Sequence, residues 1–203
     1  MMEGWEAIDP GFDQPVENAN AVFRTMLTAI SHPGRSVPVP VDLTAPPPLL
    51  SSTAAILLAL VDLDTAVWLE PGLDAPQVLA WLRFHSGCPL VTDPAAAAFA
   101  VVARTTELGR FAVGSAERPE MGATVICQVP GFDAGDSLVL TGPGIPDRAM
   151  LGVAGLATDF RRQWAANHAL FPAGIDLVLA APGHVVCLPR TTTIVEDQPC
   201  MSR

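Results

Sequence analysis

The sequence predicts an α/β fold: a layered αβα domain built around a mixed sheet. Three observations carry that prediction. Helical and strand patterns alternate along the chain, two terminal apolar runs flank a Pro-Gly dipeptide as in a hairpin, and 50% of the 203 residues are apolar against 16% charged. Alternating elements give parallel strands joined by crossovers, and a closing hairpin adds an antiparallel edge. The composition suits one globular domain over residues 1–203, large enough to build a core without metal or disulfide staples.

The elements follow in order. Ala19, Val22, Phe23, Met26, Leu27 and Ile30 recur at three- and four-residue spacing, predicting a helix over Val16–Ser31 that Pro33-Gly34 stops. Val37 to Pro48 is too rich in proline to be helical, and Val37–Leu50 is expected to offer an exposed surface for docking another chain. Ser51 or Ser52 is expected to cap a helix through Val61, and Asp74 to cap another that carries Val78, Leu79 and Leu82 and ends near Gly87. Ala66–Leu69, Phe99–Ala103, Ala123–Val129 and Ser137–Leu140 read as strands, and Gly152–Ala165 as a helix. Asp176–Ala181 and His184–Leu188 flank Pro182-Gly183 as a hairpin.

Composition excludes several functions. The net charge is −10, so neither nucleic acid nor an anionic membrane is an expected partner, and any anion must be held by local Arg or backbone N–H groups. All eleven basic residues are arginine; with no lysine there is no Schiff base to pyridoxal phosphate, no P-loop lysine and no lysine base. No cofactor is expected. Apolar runs are too short to span a bilayer and the first thirteen residues are acidic rather than signal-like, which predicts a cytoplasmic protein. Cys88, Cys127, Cys187 and Cys200 form no C-x-x-C pair, and His32, His85, His168 and His184 lack zinc-ligand spacing, so no metal is expected. Asp62 and Asp64 could bind a cation or simply sit exposed in a turn.

Three groups of residues could carry chemistry. Arg83 could hold an anion with His85 as acid or base; alternatively His85 satisfies the last helical carbonyls and Arg83 pairs with a carboxylate. Thr141-Gly142-Pro143-Gly144 follows a strand and could bring backbone N–H groups to a phosphate, although Pro143 removes a donor and the spacing also suits a plain turn. Asp176 at the head of an apolar strand needs a partner, and Arg190 beyond the hairpin is the candidate; alternatively Arg190, Thr191 and Thr192 hold a phosphate or phosphonate.

Nine collinear stretches together resemble one family. They are Phe12 with Pro15, Phe23-Arg24, Ser31-His32-Pro33-Gly34, Leu60-Val61-Asp62-Leu63-Asp64-Thr65, Leu82-Arg83-Phe84-His85 with Pro89-Leu90, Pro119-Glu120-Met121-Gly122-Ala123-Thr124, Leu140 to Ile145, Phe171 to Asp176 and Pro189-Arg190-Thr191-Thr192. The chain resembles the H subunit of the bacterial carbon–phosphorus lyase system for phosphonate metabolism. That resemblance implies a fold related to the large domain of pyridoxal-phosphate-dependent transferases without the cofactor, and a homodimer embedded in a core complex with the G, I and J subunits. It also implies support for transfer of an alkylphosphonate onto the ribose of ATP with release of adenine, which yields ribose 1-methylphosphonate 5-triphosphate. The H subunit is expected as scaffold or accessory, the isolated chain inactive, with no catalytic residues assigned. The chain departs from its relatives in lacking lysine and in its tail, Gln198 to Arg203. Two other classes compete with this expectation: a free-standing enzyme using Arg83, His85 and Arg190 on a phosphorylated substrate, and a non-catalytic small-molecule-binding module.

Overall fold

The computed structural model describes residues 8–104, 107–132 and 134–195. In chain order they form α1 (Pro15–Ser31), β1 (Val37–Pro38), α2 (Ser51–Leu60), β2 (Val67–Leu69), α3 (Pro76–His85), β3 (Phe99–Val102), β4 (Thr124–Gln128), β5 (Asp136–Thr141), β6 (Ala149–Val153), α4 (Phe160–His168), β7 (Asp176–Ala181), β8 (His184–Leu188) and β9 (Thr193–Val195). Three short 3-10 turns, the last at Pro119–Met121, link them. Cys200 and the tail from Gln198 lie outside the described residues.

The main sheet has the order β1-β8-β7-β4-β3-β2. β2, β3, β4 and β7 are parallel neighbours, whereas β7 and β8 form the antiparallel hairpin around Pro182-Gly183 and β1 pairs antiparallel with β8. The expected α/β fold with a mixed sheet is therefore what the chain adopts. The period of two along each strand splits the apolar residues between two cores. Val101, Ile126, Val178 and Cys187 face α1, α2 and α3. Val102, Val125, Cys127, Leu177 and Leu188 face α4 and a second, three-stranded sheet of order β6-β5-β9. At roughly 1.5–3 kcal/mol per fully buried large apolar side chain, these two cores, rather than surface ion pairs, hold the fold.

Several expectations are corrected. Residues 149–153 form strand β6, in antiparallel register with β5 from Ala149 opposite Leu140 to Val153 opposite Asp136, and the helix begins only at Phe160. Strand pairing overrides a short apolar run that is equally compatible with either period. Neither serine caps α2, whose N-cap is Leu50; Ser52 Oγ instead donates to the Ala181 carbonyl at 2.7 Å. Asp74 does not cap α3; its Oδ1 accepts the Gly72 N–H at 3.0 Å. The Pro-rich segment lies against the body of the molecule with Pro38, Pro40, Pro47 and Pro48 exposed. Val37 and Pro38 are strand residues, Leu43 and Leu49 are buried, and Val39 and Val41 pack on the same core.

Candidate functional site

Asp176 and Arg190 meet where β7 begins and where the chain leaves β8. Asp176 Oδ1 accepts the Arg190 main-chain N–H at 2.8 Å, and Arg190 Nε approaches both carboxylate oxygens at 3.2 Å while Nη2 bridges to Oδ2 at 2.5 Å. The outer edge of the guanidinium is used as well, since Nη1 donates to the Pro119 carbonyl at 2.7 Å. With its side chain only 12% exposed, Arg190 has both sides of its fork engaged, so a phosphate reaches it only by displacing Asp176 or the carbonyl. Gly122 makes this approach possible, because a Cβ there would fall on the Gly174 carbonyl and on Arg190 Nη1.

The last turn of α4 completes the cluster. Asn167 Oδ1 accepts the Ile175 N–H at 2.8 Å and its Nδ2 donates to the Ile175 carbonyl at 3.0 Å. His168 Nδ1 lies 2.9 Å from the Arg190 carbonyl, which fixes the proton on Nδ1 and leaves Nε2 to accept from Thr193 Oγ1 at 3.3 Å. Trp164 Nε1 donates to the Thr192 carbonyl at 2.8 Å. Asn167, His168, Trp164 and the Pro119 carbonyl were not anticipated from the sequence. Asn167 does leave a trace there, a polar residue on the stripe of Phe160 and Trp164 at helical spacing, whereas a main-chain acceptor such as Pro119 leaves none.

The turn after β5 packs beside this cluster. Thr141 pairs with Thr193, and Gly142, at φ +133°, sits against the Thr191 carbonyl. Gly144 lies against the Ser31 carbonyl and the Pro33 ring at the end of α1. The structure thus brings Asp176 and Arg190 together and sets Thr141 and Gly142 beside Thr191 to Thr193, whereas Gly144 packs on the end of α1.

Arg83 and His85 stand apart, on α3 by the β2 edge, three strands or roughly 15 Å from β7. His85 Nε2 donates to the Asp9 carbonyl at 3.0 Å, and its ring packs 4.9 Å from Trp81 and against Gly11. It pins the chain ahead of α1 rather than the last turn of its own helix. Arg83 is exposed, makes no ion pair among the described residues and borders a 260 Å³ groove with Asp74 and Leu90. Asp62 is occupied within its own turn, where Oδ1 accepts from Thr65 Oγ1 at 2.7 Å and from the Asp64 N–H at 3.1 Å; these bonds hold its carboxyl below the usual range.

Comparison with known proteins places this architecture. The profile of one family, PhnH, described as bacterial phosphonate metabolism protein, matches residues 10–195. The chain is 38% identical over 190 residues to the alpha-D-ribose 1-methylphosphonate 5-triphosphate synthase subunit PhnH of Rhizobium meliloti (strain 1021), covering 92% of this chain and 94% of that one. It is 37% identical over 175 residues to the proposed C-P lyase subunit protein HtxG of Stutzerimonas stutzeri, covering 85% and 83%. With nearly all of both chains aligned and the strands and helices of the described fold inside the matched span, this protein belongs to the PhnH family of bacterial phosphonate metabolism proteins.

Proposed function

We propose that this chain is an accessory subunit of the carbon–phosphorus lyase machinery, supporting synthesis of ribose 1-methylphosphonate 5-triphosphate from ATP and methylphosphonate in the cytoplasm. The observation that carries the reading is the full-length relationship to a relative named as a subunit of that synthase. The geometry favours an accessory role over a free-standing enzyme. The Arg190 fork is committed to Asp176 and Pro119, and His85 is committed to Asp9, so neither offers a free acid, base or anion clamp. A chain without lysine cannot form the internal aldimine of pyridoxal phosphate, so the proposed likeness to the large domain of those transferases concerns shape alone.

The partners in this reading are a second copy of the chain and the G, I and J subunits. A second copy is supported by the outer face of α1. Val16, Phe23, Leu27 and Ile30 are 45–77% exposed and, with Asn20 between the first two, follow a 4-3-4-3 spacing. That spacing lets two helices interlock, and one polar seat such as Asn20 sets their register. Co-expression with the G, I and J subunits followed by mass determination tests the subunit role, with stoichiometric co-purification expected and a homodimer that ignores all three overturning it. The pure chain given ATP and methylphosphonate is expected to release no adenine; turnover by the chain alone would end the accessory reading.

A further inference from the structure

The chain reverses direction around β2. Val67 bonds to Leu90's neighbours, Val67 N to the Pro89 carbonyl at 2.8 Å and Val91 N to the Val67 carbonyl at 3.0 Å, while the Ala66 carbonyl on the other side receives Ala98 and Phe99. Leu90 therefore flanks β2 on the side away from β3. From β2 the chain moves outward across the face where α3 packs, then returns inward across the opposite face, where Val91 and Ala97 pack, to enter β3. Two connections leaving in opposite directions on opposite faces open a crevice at the carboxyl ends of β2 and β3, which is where open α/β sheets receive their ligands. The Asp176–Arg190 cluster lies at the amino-terminal edge of the same strands, away from that position.

A cleft of about 830 Å³ occupies the crevice, bordered by Glu70 and Pro71 just beyond β2, Ala103 and Arg104 just beyond β3, and Gly155 and Thr158 ahead of α4. Its volume suits a small ligand. Glu70 is half-buried, and its Oε2 accepts the Ala103 N–H at 2.8 Å, which fixes the carboxylate and leaves Oε1 to accept another donor. Arg104 is exposed and makes no ion pair among the described residues. In a chain of net charge −10, a guanidinium not neutralised by a neighbour is the local means of holding an anion. A fixed carboxylate acceptor and a guanidinium that has no ion-pair partner among the described residues, both on one cleft, fit a ligand that has hydroxyls to donate and a phosphate to place.

We infer that this crevice binds a sugar phosphate, with Arg104 on the phosphate and Glu70 on a sugar hydroxyl. The inference goes beyond the subunit role and does not depend on it: a chain that co-purifies with its partners and binds no sugar phosphate loses only this site, and the converse result loses only the subunit role.

Calorimetry on the full chain tests it, with ribose 5-phosphate, inorganic phosphate and ribose as separate probes. Ribose 5-phosphate is expected to bind more tightly than either part alone. Arg104→Ala is expected to weaken it at least about tenfold, and Glu70→Gln, whose amide oxygen still takes the Ala103 N–H, about threefold. Thermal melting checks that both variants fold; should Glu70→Gln fail to fold, Arg104→Ala and the three probes decide. No heat with ribose 5-phosphate, equal affinity for ribose 5-phosphate and inorganic phosphate, or unchanged affinity in Arg104→Ala overturns the proposal.

Discussion

Arg190 ties together three stretches of chain that are far apart in sequence: the turn ending in Gly122, the head of β7 and the exit from β8. Arg190→Ala strands the Asp176 carboxylate and the Pro119 carbonyl, and is expected to cost about 2–3 kcal/mol. That is below the range for a fully dry pair because Asp176 keeps 35% of its side chain exposed. Urea unfolding with an unchanged slope and a lowered midpoint would show it, whereas a variant as stable as the parent would mean the pair is idle. The cysteines make a second residue-scale case. Burial pushes the thiols of Cys127 and Cys187 up to about 12, with the carboxylates of Glu70 and Asp176 adding to it. Raised acid pKa values mean that the folded chain keeps protons that the unfolded chain releases above its ordinary value near 9.0. The stability these thiols contribute is thus fully present below about pH 9 and is lost as pH climbs toward 12. Midpoints measured from pH 7 to 11 should hold level and then fall; replacing both with alanine should flatten the part of the fall that they cause. Of the site itself, the sequence makes Asp176 and Arg190 legible because an acid heading an apolar strand demands a partner. The atoms completing the cluster are main-chain carbonyls, which leave no mark in a sequence, and side chains at the end of α4, where the expected helix Gly152–Ala165 stops short of Asn167 and His168.

At the scale of elements, α1 has two apolar faces. Val22, Met26 and Ala29 are buried against the rest of the molecule, while Phe23, Leu27 and Ile30 remain in water. Leu27→Asp lies on the outer stripe, so it should leave the melting temperature within about 1–2 °C yet convert a dimer to a monomer in light scattering. An unchanged mass would remove α1 as the dimer face. The same helix shows what the sequence reveals well: seventeen residues carry several turns of one period, and Pro33-Gly34 marks the end. The hairpin around Pro182-Gly183 was equally plain, since two apolar runs flank a turn that requires a positive φ, +71° at Gly183. Short elements were not. Ala149–Val153 is too brief to distinguish a period of two from 3.6, and its strand identity comes from β5 alongside it. β9 has three residues after a run of threonines, and only its pairing with β5 defines it.

For the whole molecule, one sheet divides two cores, and the two ends of that sheet have different chemistry. The amino-terminal edge is closed by Arg190, Asn167 and His168, whose polar groups are spent on the chain's own backbone. The carboxyl edge at β2 and β3 stays open. The α/β class was legible from alternation alone, but the small second sheet and the reversal at Leu90 were not, because each depends on pairings between segments that are individually too short to signal themselves. One pairing has a consequence in time. Among the described residues β1 finds its only sheet partner in β8, Val37 opposite Val185, and the Gly34 N–H reaches the Cys187 carbonyl. A ribosome adds residues one by one from the amino end, so α1 and β1 emerge well before the strand that receives them exists. Contacts of such long sequence separation form late and slowly. The apolar flank of α1 can meet α2 early, but the β8 part of its seat comes late, and the protein acquires its native shape as a late event, after most of the chain has been made.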